Sequence, residues 1–415
     1  MTATPAAGGR CPFGHGADVR KTNHALDEVP GIELRDGVWH LRTFAAVRQV
    51  LKDSEGVRQG IVNDNPLFTR LRQPVIFQDG AAHREQRTAI ARFFTPKTVG
   101  ESYQGFIETF TDDLLAGLLR DGRADLSVMS LHLASEVAAR VVGLTDSRRP
   151  GMAGRLDRLL AGDVPVDGAG EPGPLRRGAK TARSLAGMLE FYLTDVRPAI
   201  RTRRRTPRED VISHLIGKDY NDLEILIECL TYGSAGMATT REFISVAAWH
   251  LLEDDALRRS YLAGTQAERH RVLHELLRLE PVASTLWRKA VRDLTVEHGG
   301  RTFHIPAGAT MVLDIRTANA DPATVGEGPT EVCPHRPLPA GVQVQAVSFG
   351  DGPHRCPGAF LAIEESDLFL RRLLALPLRI VRPPQVGFND NLKSYEVRDF
   401  ELALVPPGAQ ASAGA

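Results

Sequence analysis

The chain has 415 residues, enough for one large domain or two ordinary ones, and its 51 basic residues are matched by 51 acidic ones. That balance argues against a nucleic-acid partner held by bulk charge. No apolar run approaches the ~18 residues of a membrane span, and the opening MTATPAAGGRCPFGHG lacks the apolar core of a secretion signal, so the expectation is a cytoplasmic protein with no membrane contact.

Taken in chain order, residues 1–25 read as a flexible tail, 26–406 as a single domain and 407–415 as a disordered tail. DGVWHLRTF reads as a strand leading into the helix AAVRQVLKD. AAHREQRTAIARFF and ESYQGFIETFTDDLLAGLLRDG have helical period, with Ile107, Phe110, Leu114 and Leu118 on one face. LSVMSLHLASEVAARVVGL predicts a largely buried helix. The Gly and Pro content of AGDVPVDGAGEPGPLRRG, residues 161–178, excludes regular structure and predicts a lid or a plain linker. RTRRRTPRED reads as a solvated helix end whose cations suit the macrodipole. From Asn221 runs a helix of about thirty residues, apolar almost all round and so expected in the core. HELLRLEPV is a helix stopped by Pro281, and VEHGGRTFHIPAGATMVLDI has the alternation of a small β-region. No repeat and no composition break marks a second domain.

Four cysteines, Cys11, Cys229, Cys333 and Cys356, are too scattered for a disulfide framework. Neither Cys11 with His15 nor Cys333 with His335 has the spacing of a zinc site. Cys356 differs from the others because of its surroundings, SFGDGPHRCPG. Gly350 and Gly352 suit a tight turn. Pro357 favours a helix start, which places Cys356 at or near an N-cap, where the dipole and free amides lower a thiol pKa. Gly358 leaves room for something large, such as a metal macrocycle. A buried structural cysteine has no need of three glycines, and for a nucleophile His354 is an awkwardly placed base.

FGDGPHRCPG resembles the haem-binding loop of the cytochrome P450 family at Phe349, Gly350, Gly352, His354, Cys356 and Gly358. The resemblance implies a mainly α fold with a small β-region: an α-rich triangular prism holding haem b between the long central helix and the helix after the cysteine loop. It makes Cys356 the axial thiolate of the iron. ELLR, alone a common surface pair at i, i+3, resembles the family's buried Glu-x-x-Arg pair; Glu275 and Arg278 would then join a third member, Arg336. His83 and Arg87 of HREQR, Arg288 of LWRKA and His354 match the positions that hold the haem propionates. AGMATT resembles the segment that bends over the haem: Ala235 and Gly236 allow close approach, and the Thr239 hydroxyl helps deliver protons. A mid-helix threonine can instead bond its own i−4 carbonyl, a reading that suits Thr240 better than Thr239. The family's acid before this threonine is replaced by Ala238; water or Glu242, one turn on, are the substitutes.

The function implied is a haem-thiolate monooxygenase that inserts one oxygen atom of O2 into a small apolar or aromatic molecule in bacterial secondary metabolism or catabolism. Its electrons would come from a separate ferredoxin and ferredoxin reductase, and the protein would be a monomer. Arg84, Arg87, Arg92, Arg371 and Arg372 form a basic face for such a carrier or simply a solvated surface. Ala238 motivates an alternative of coupling, desaturation or peroxide-driven chemistry; a non-catalytic haem-binding protein is more distant. Family topology places the loop after Val57, Ser234, Ala235, Ser284, Leu286, Trp287 and Tyr395 around the substrate, with Trp287 and Tyr395 equally readable as packing residues.

Overall fold

The structure, a computed structural model, describes residues 18–22, 29–59, 72–160, 174–389 and 393–406. A hairpin of β1 (Ile32–Arg35) and β2 (Val38–Leu41) turns at Asp36 and Gly37, both at positive φ. Next come α1 (Phe44–Lys52), capped by the Thr43 hydroxyl, and β3 (Val57–Gln59). α2 (Gly80–Ala91) leads through the single turn α3 (Pro96–Thr98) and a π-helical turn into α4 (Gln104–Asp121), which Gly122 ends in the left-handed conformation. β4 (Arg123–Asp125) precedes α5 (Leu126–Val142), buried at 12 of its 17 residues. α6 (Met152–Leu160) is followed by α7 (Pro174–Phe191), which continues through a π turn into α8 (Arg197–Arg205), and then by α9 (Val211–Gly217).

The long central helix is α10 (Asp222–Gly233), a π turn at Ser234–Ala238 and α11 (Thr239–Glu253). It starts at a capping box, in which the Asn221 side chain accepts from Glu224 N and Glu224 accepts from Asn221 N. α12 (Asp255–Ala263) and α13 (Gln266–Leu279) lead to β5 (Thr285–Ala290), β6 (Leu294–His298), β7 (Arg301–Ile305) and β8 (Thr310–Asp314). After α14 (Ile315–Asn319), α15 (Pro322–Val325) and the cysteine loop comes α16 (Ala359–Leu373). β9 (Leu378–Arg382), β10 (Gln385–Asn389), β11 (Ser394–Arg398) and β12 (Glu401–Leu404) close the chain.

A five-stranded sheet has the order β1-β2-β8-β5-β3, with β2 and β8 parallel and the other pairs antiparallel. The main core lies among the helices, with Leu133 and Val137 of α5, Ile244 of α11, Leu273 of α13 and Phe369 of α16 almost fully buried. Each such side chain contributes about 1.5–3 kcal/mol by leaving water. A second, smaller core under the sheet contains Leu41, Val47, Met311 and Leu313.

Three expectations change here. Residues 174–178, expected in a loop, begin α7, because Pro174 fits a first helical turn; residues 161–173 lie outside the described residues. Arg203, in the run expected to be solvated, is buried on Asp210 (2.5 Å) and Asp146 (2.6 Å). Within the stretch expected as a tail, Asp18–Thr22 is docked: Lys21 N, Thr22 N (3.1 Å) and Thr22 Oγ1 (2.5 Å) all donate to the buried Glu280 carboxylate, which also meets His250 Nε2 at 2.9 Å. Residues 407–415 and the remainder of the N-terminal tail lie outside the described residues.

Candidate active site

The cysteine loop is built by its glycines. Gly350 and Gly352 have φ of 70° and 65°, and a Cβ on Gly352 would fall 2.3 Å from the Leu51 carbonyl oxygen at the end of α1. Asp351 is tied to Arg48 (2.8 Å) and to Gly352 N (2.8 Å). Cys356 N donates to Phe349 O at 2.8 Å, which folds the loop back on itself. The N-cap of α16 is Gly358, so Cys356 stands two residues before the cap and Pro357 is not the first helical residue. The half-buried Cys356 thiol is pushed up by its burial, while the Gly358 amide, Arg87 and Arg355 pull it down. The expected fall is therefore outweighed by the protein packed around the sulfur. A Cβ on Gly358 would lie 4.0 Å from Sγ and 3.8 Å from the Phe94 ring, so glycine keeps this side of the sulfur open.

Glu275, Arg278 and Arg336 do come together. Arg278 Nε and Nη2 each donate to Glu275 at 2.8 Å, and Arg336 Nη2 lies 3.7 Å from Glu275 Oε1. Cys333 N adds a bond to the same carboxylate at 2.9 Å. Both arginines also donate to carbonyls of 319–331, including Asn319 O, Pro329 O and Val325 O. Asn319, which sequence reasoning missed, links this group to the cysteine loop: its Nδ2 donates to Ser348 Oγ (2.7 Å) and its Oδ1 accepts from Val347 N (3.0 Å).

His83, Arg87, Arg288 and His354 also converge. The His83 and His354 rings stack at 4.0 Å, and His354 Nε2 meets Asp79 at 3.2 Å. Arg87 donates to the Arg355 carbonyl, and the buried Arg288 donates to Gln59 Oε1 at 2.8 Å. Burial first, and neighbouring cations second, push both histidines down to about 4. Burial lowers Arg288 to about 10 and raises Asp79. His83 Nε2 is buried with no partner among the described residues. A small cavity of ≈ 80 Å³ opens against His83, Arg288, His354 and Asp79. His83, Arg288 and His354 beside one carboxylate, with Arg87 next to both histidines and an orphaned ring nitrogen, leave room for further anionic oxygens. The two carboxylates of a haem rim fit this requirement, and the Cys356 sulfur fits the iron.

Opposite, the central helix widens at the π turn that carries Ser234, Ala235, Gly236 and Ala238. Such bulges are frequent at functional sites. Ala235 is exposed, whereas a Cβ on Gly236 would meet Ala138 of α5 at 3.5 Å, so this glycine faces a helix. Thr239 Oγ1 donates to Ala235 O at 2.6 Å, the i−4 bond expected of Thr240. Thr240 instead bonds the buried Glu365, whose carboxyl burial raises well above its ordinary range. Glu242 is no substitute for the missing acid: it accepts from Val397 N and Arg398 Nη1, both at 2.6 Å, and is buried against β11.

Of the expected pocket residues, Tyr395 is a packing residue, fully buried with its hydroxyl on Glu280 O at 3.2 Å. Ser284 is buried and bonded to Lys393 O at 3.0 Å. Leu286 packs on the smaller core, and Trp287 is half-buried opposite Val312. On the surface, Arg371 and Arg372 are paired with Glu108, and Arg372 also with Asp112 (3.2 Å), while Arg92 lies over the Phe93 ring; only part of the expected basic face remains free charge. No helix among the described residues is long and apolar enough to cross a membrane.

The sequence profile of the family described as Cytochrome P450 matches residues 270–377, from within α13 to just past the end of α16. A 2-hydroxy-5-methyl-1-naphthoate 7-hydroxylase of Streptomyces carzinostaticus is 27% identical over 384 residues, 85% of this chain and 87% of that protein. Cytochrome P450 130 of Mycobacterium tuberculosis is 29% identical over 73% of this chain and 71% of its own length. Among solved structures, the hydroxylase HmtN of himastatin biosynthesis superposes with a TM-score of 0.71 at 22% identity, covering 92% of this chain and 95% of that one, a likeness of fold. With its cysteine loop, buried Glu-Arg-Arg group and histidine-arginine cluster, the chain is similar to the cytochrome P450 family in sequence and in fold.

Proposed function

We propose that the protein is a haem-thiolate monooxygenase that inserts one oxygen atom of dioxygen into a small apolar or aromatic molecule. The observation that carries this reading is a half-buried cysteine on a glycine-built loop that His354 and Arg87 join to a cluster of histidines and arginines short of anions. Haem b supplies the redox chemistry when bound: a thiolate ligand favours O–O cleavage. The residues of the chain do the rest. The Cys356 sulfur would hold the iron, and His83, Arg87, Arg288 and His354 would orient the ring through its carboxylates. Glu275, Arg278 and Arg336, through Asn319, fix the loop so that the sulfur stays in place. The Thr239 hydroxyl already spends its proton on Ala235 O, leaving its oxygen to accept a bond from water beside the π turn.

The relatives guide the substrate class: one is named for hydroxylating a methylnaphthoate and another for 25-hydroxylation of vitamin D(3), both largely apolar molecules. Electrons would come from a ferredoxin and its reductase, with the protein acting as a monomer in the cytoplasm. Ala238 favours a second reading, coupling, desaturation or peroxide use, because it removes the side chain that commonly relays protons. Optical titration of the haem-loaded protein with small apolar and aromatic compounds tests the first reading. A spin-state shift with at least one, followed by product labelled from 18O2, is expected. Turnover without label would establish the second reading, and no shift with any compound would argue for a carrier.

A further inference from the structure

The reaction proposed above consumes protons, and Ala238 cannot supply them. Most carboxyls of the central helix are committed. Asp222 holds Tyr192 and Arg204, Glu224 caps the helix and accepts from Arg72 N, Glu242 is tied to β11, and Glu253 holds Lys21 and Trp249. Glu228 is different. It is 1% exposed; its Oε1 accepts from Val75 N (3.2 Å) and Gln86 Nε2 (2.9 Å), and its Oε2 has no partner among the described residues. One turn on, on the same face, the Tyr232 hydroxyl is also buried and unpartnered. Native folds seldom leave two such atoms unsatisfied unless water or a ligand completes them.

These groups form a file. Gln78, half-buried, donates to Gln86 Oε1 at 2.8 Å, and Gln86 donates to Glu228. At the inner end the Tyr232 ring stacks on Phe94 at 6.5 Å, and the π turn at Ser234–Ala238 begins two residues on. The file thus runs from the surface between α2 and α10 to the start of the π turn that carries Ala235 and Gly236.

We propose that Glu228 is the proton reservoir of this reaction, acting through Tyr232 and intervening water in place of an acid at residue 238. The inference rests on the monooxygenase reading. The balance is RH + O2 + 2 e⁻ + 2 H⁺ giving ROH + H2O, with the electrons from a one-electron iron–sulfur carrier. Glu228 Oε2 gives up a proton that ends on the oxygen leaving as water, and solvent refills Glu228 past Gln78 and Gln86 before the second transfer. Gln86 and Arg87 face this region from α2, Arg72 and Gln78 from the preceding segment, and Tyr220 from the turn before α10. On α10 itself the neighbours are Glu224, Cys229 and Tyr232. None of the cations is bonded to Glu228, and burial lifts its carboxyl to about 7, where an acid can both give and regain a proton. Glu365 also has an unpartnered oxygen, and burial raises its carboxyl well above the ordinary range, but it is bonded to Thr240 and not to any member of this file.

The test uses the haem-loaded protein and cumene hydroperoxide, which needs no electron donor. Cleavage in which the leaving oxygen takes both bonding electrons requires a proton there and yields 2-phenyl-2-propanol. One-electron cleavage requires none and yields acetophenone and a methyl radical. In the wild type the alcohol-to-ketone ratio is expected to fall between about pH 6 and 8; Glu228→Gln and Tyr232→Phe lower it about tenfold at the acid end and flatten the profile, and Glu228→Asp restores it. Infrared titration of the wild type, minus Glu228→Gln, should show a buried carboxyl ionising in the same range. A wild-type ratio and profile in either variant, or no such carboxyl, overturns the proposal. The thiolate-type carbon monoxide spectrum, recorded on each sample, separates this failure from failure of the monooxygenase reading.

Discussion

Glu275→Gln removes one negative charge and almost no volume, so its cost can be read from the surroundings. The carboxylate is 1% exposed and takes two bonds from Arg278, one from Cys333 N and the nearby charge of Arg336. The neutral amide cannot accept on both sides, and it leaves two buried guanidinium groups held by carbonyls alone. Breaking a buried ion pair in this way costs about 3–5 kcal/mol. Against a total stability of about 5–15 kcal/mol, that is a third or more of the whole. Urea unfolding followed by the fluorescence of the three tryptophans measures it as a fall in midpoint at unchanged slope. Glu268→Ala on the same helix is the control: it loses an exposed capping-box bond of 2.7 Å from Thr265 N and should lower the midpoint far less. A loss below about 1 kcal/mol for Glu275→Gln would refute the argument that this carboxylate is the counterion of both arginines.

Glu228→Gln should change stability in a pH-dependent way. Below the ordinary carboxyl range both states of the wild type are protonated and the variant shows no electrostatic difference. As pH rises from 4.5 to about 7 the unfolded wild type ionises while the folded one keeps its proton, so the variant gains up to about 3 kcal/mol relative to it, then levels off; a pH-independent difference in chemical denaturation would contradict this. Gly352→Ala forces a Cβ onto the Leu51 carbonyl at positive φ, with about 1–3 kcal/mol of backbone strain, and should weaken haem retention on gel filtration. Thr22→Val removes a 2.5 Å bond to Glu280, whose carboxyl stays below its usual range despite burial because His250, Thr22 and Lys21 donate to it. The expected loss is about 1.5–3 kcal/mol, measured by thermal unfolding.

Which of these features were legible in the sequence depended on how local they are. The cysteine loop could be read because each glycine answers a constraint within a few residues, and the central helix because its apolar run and Asn221 cap are continuous. The π turn at Ser234–Ala238 could not be, since a bulge changes the register without changing the composition. The i−4 bond went to Thr239 rather than Thr240 because Glu365, more than a hundred residues away, takes Thr240. Glu242 looked available until β11 placed Val397 and Arg398 against it. Asn319, Asp79 and Glu228 carry no motif. Their roles arise from contacts across the fold, as the 142-residue separation between Gln86 and Glu228 illustrates.

The central claim, that the Cys356 sulfur binds haem iron as a thiolate, is tested most directly by the carbon monoxide difference spectrum of the reduced, haem-loaded protein. A long-wavelength Soret band in the wild type, lost in Cys356→Ala, is the predicted result. Its absence from the wild type, or its survival in Cys356→Ala, would contradict the account.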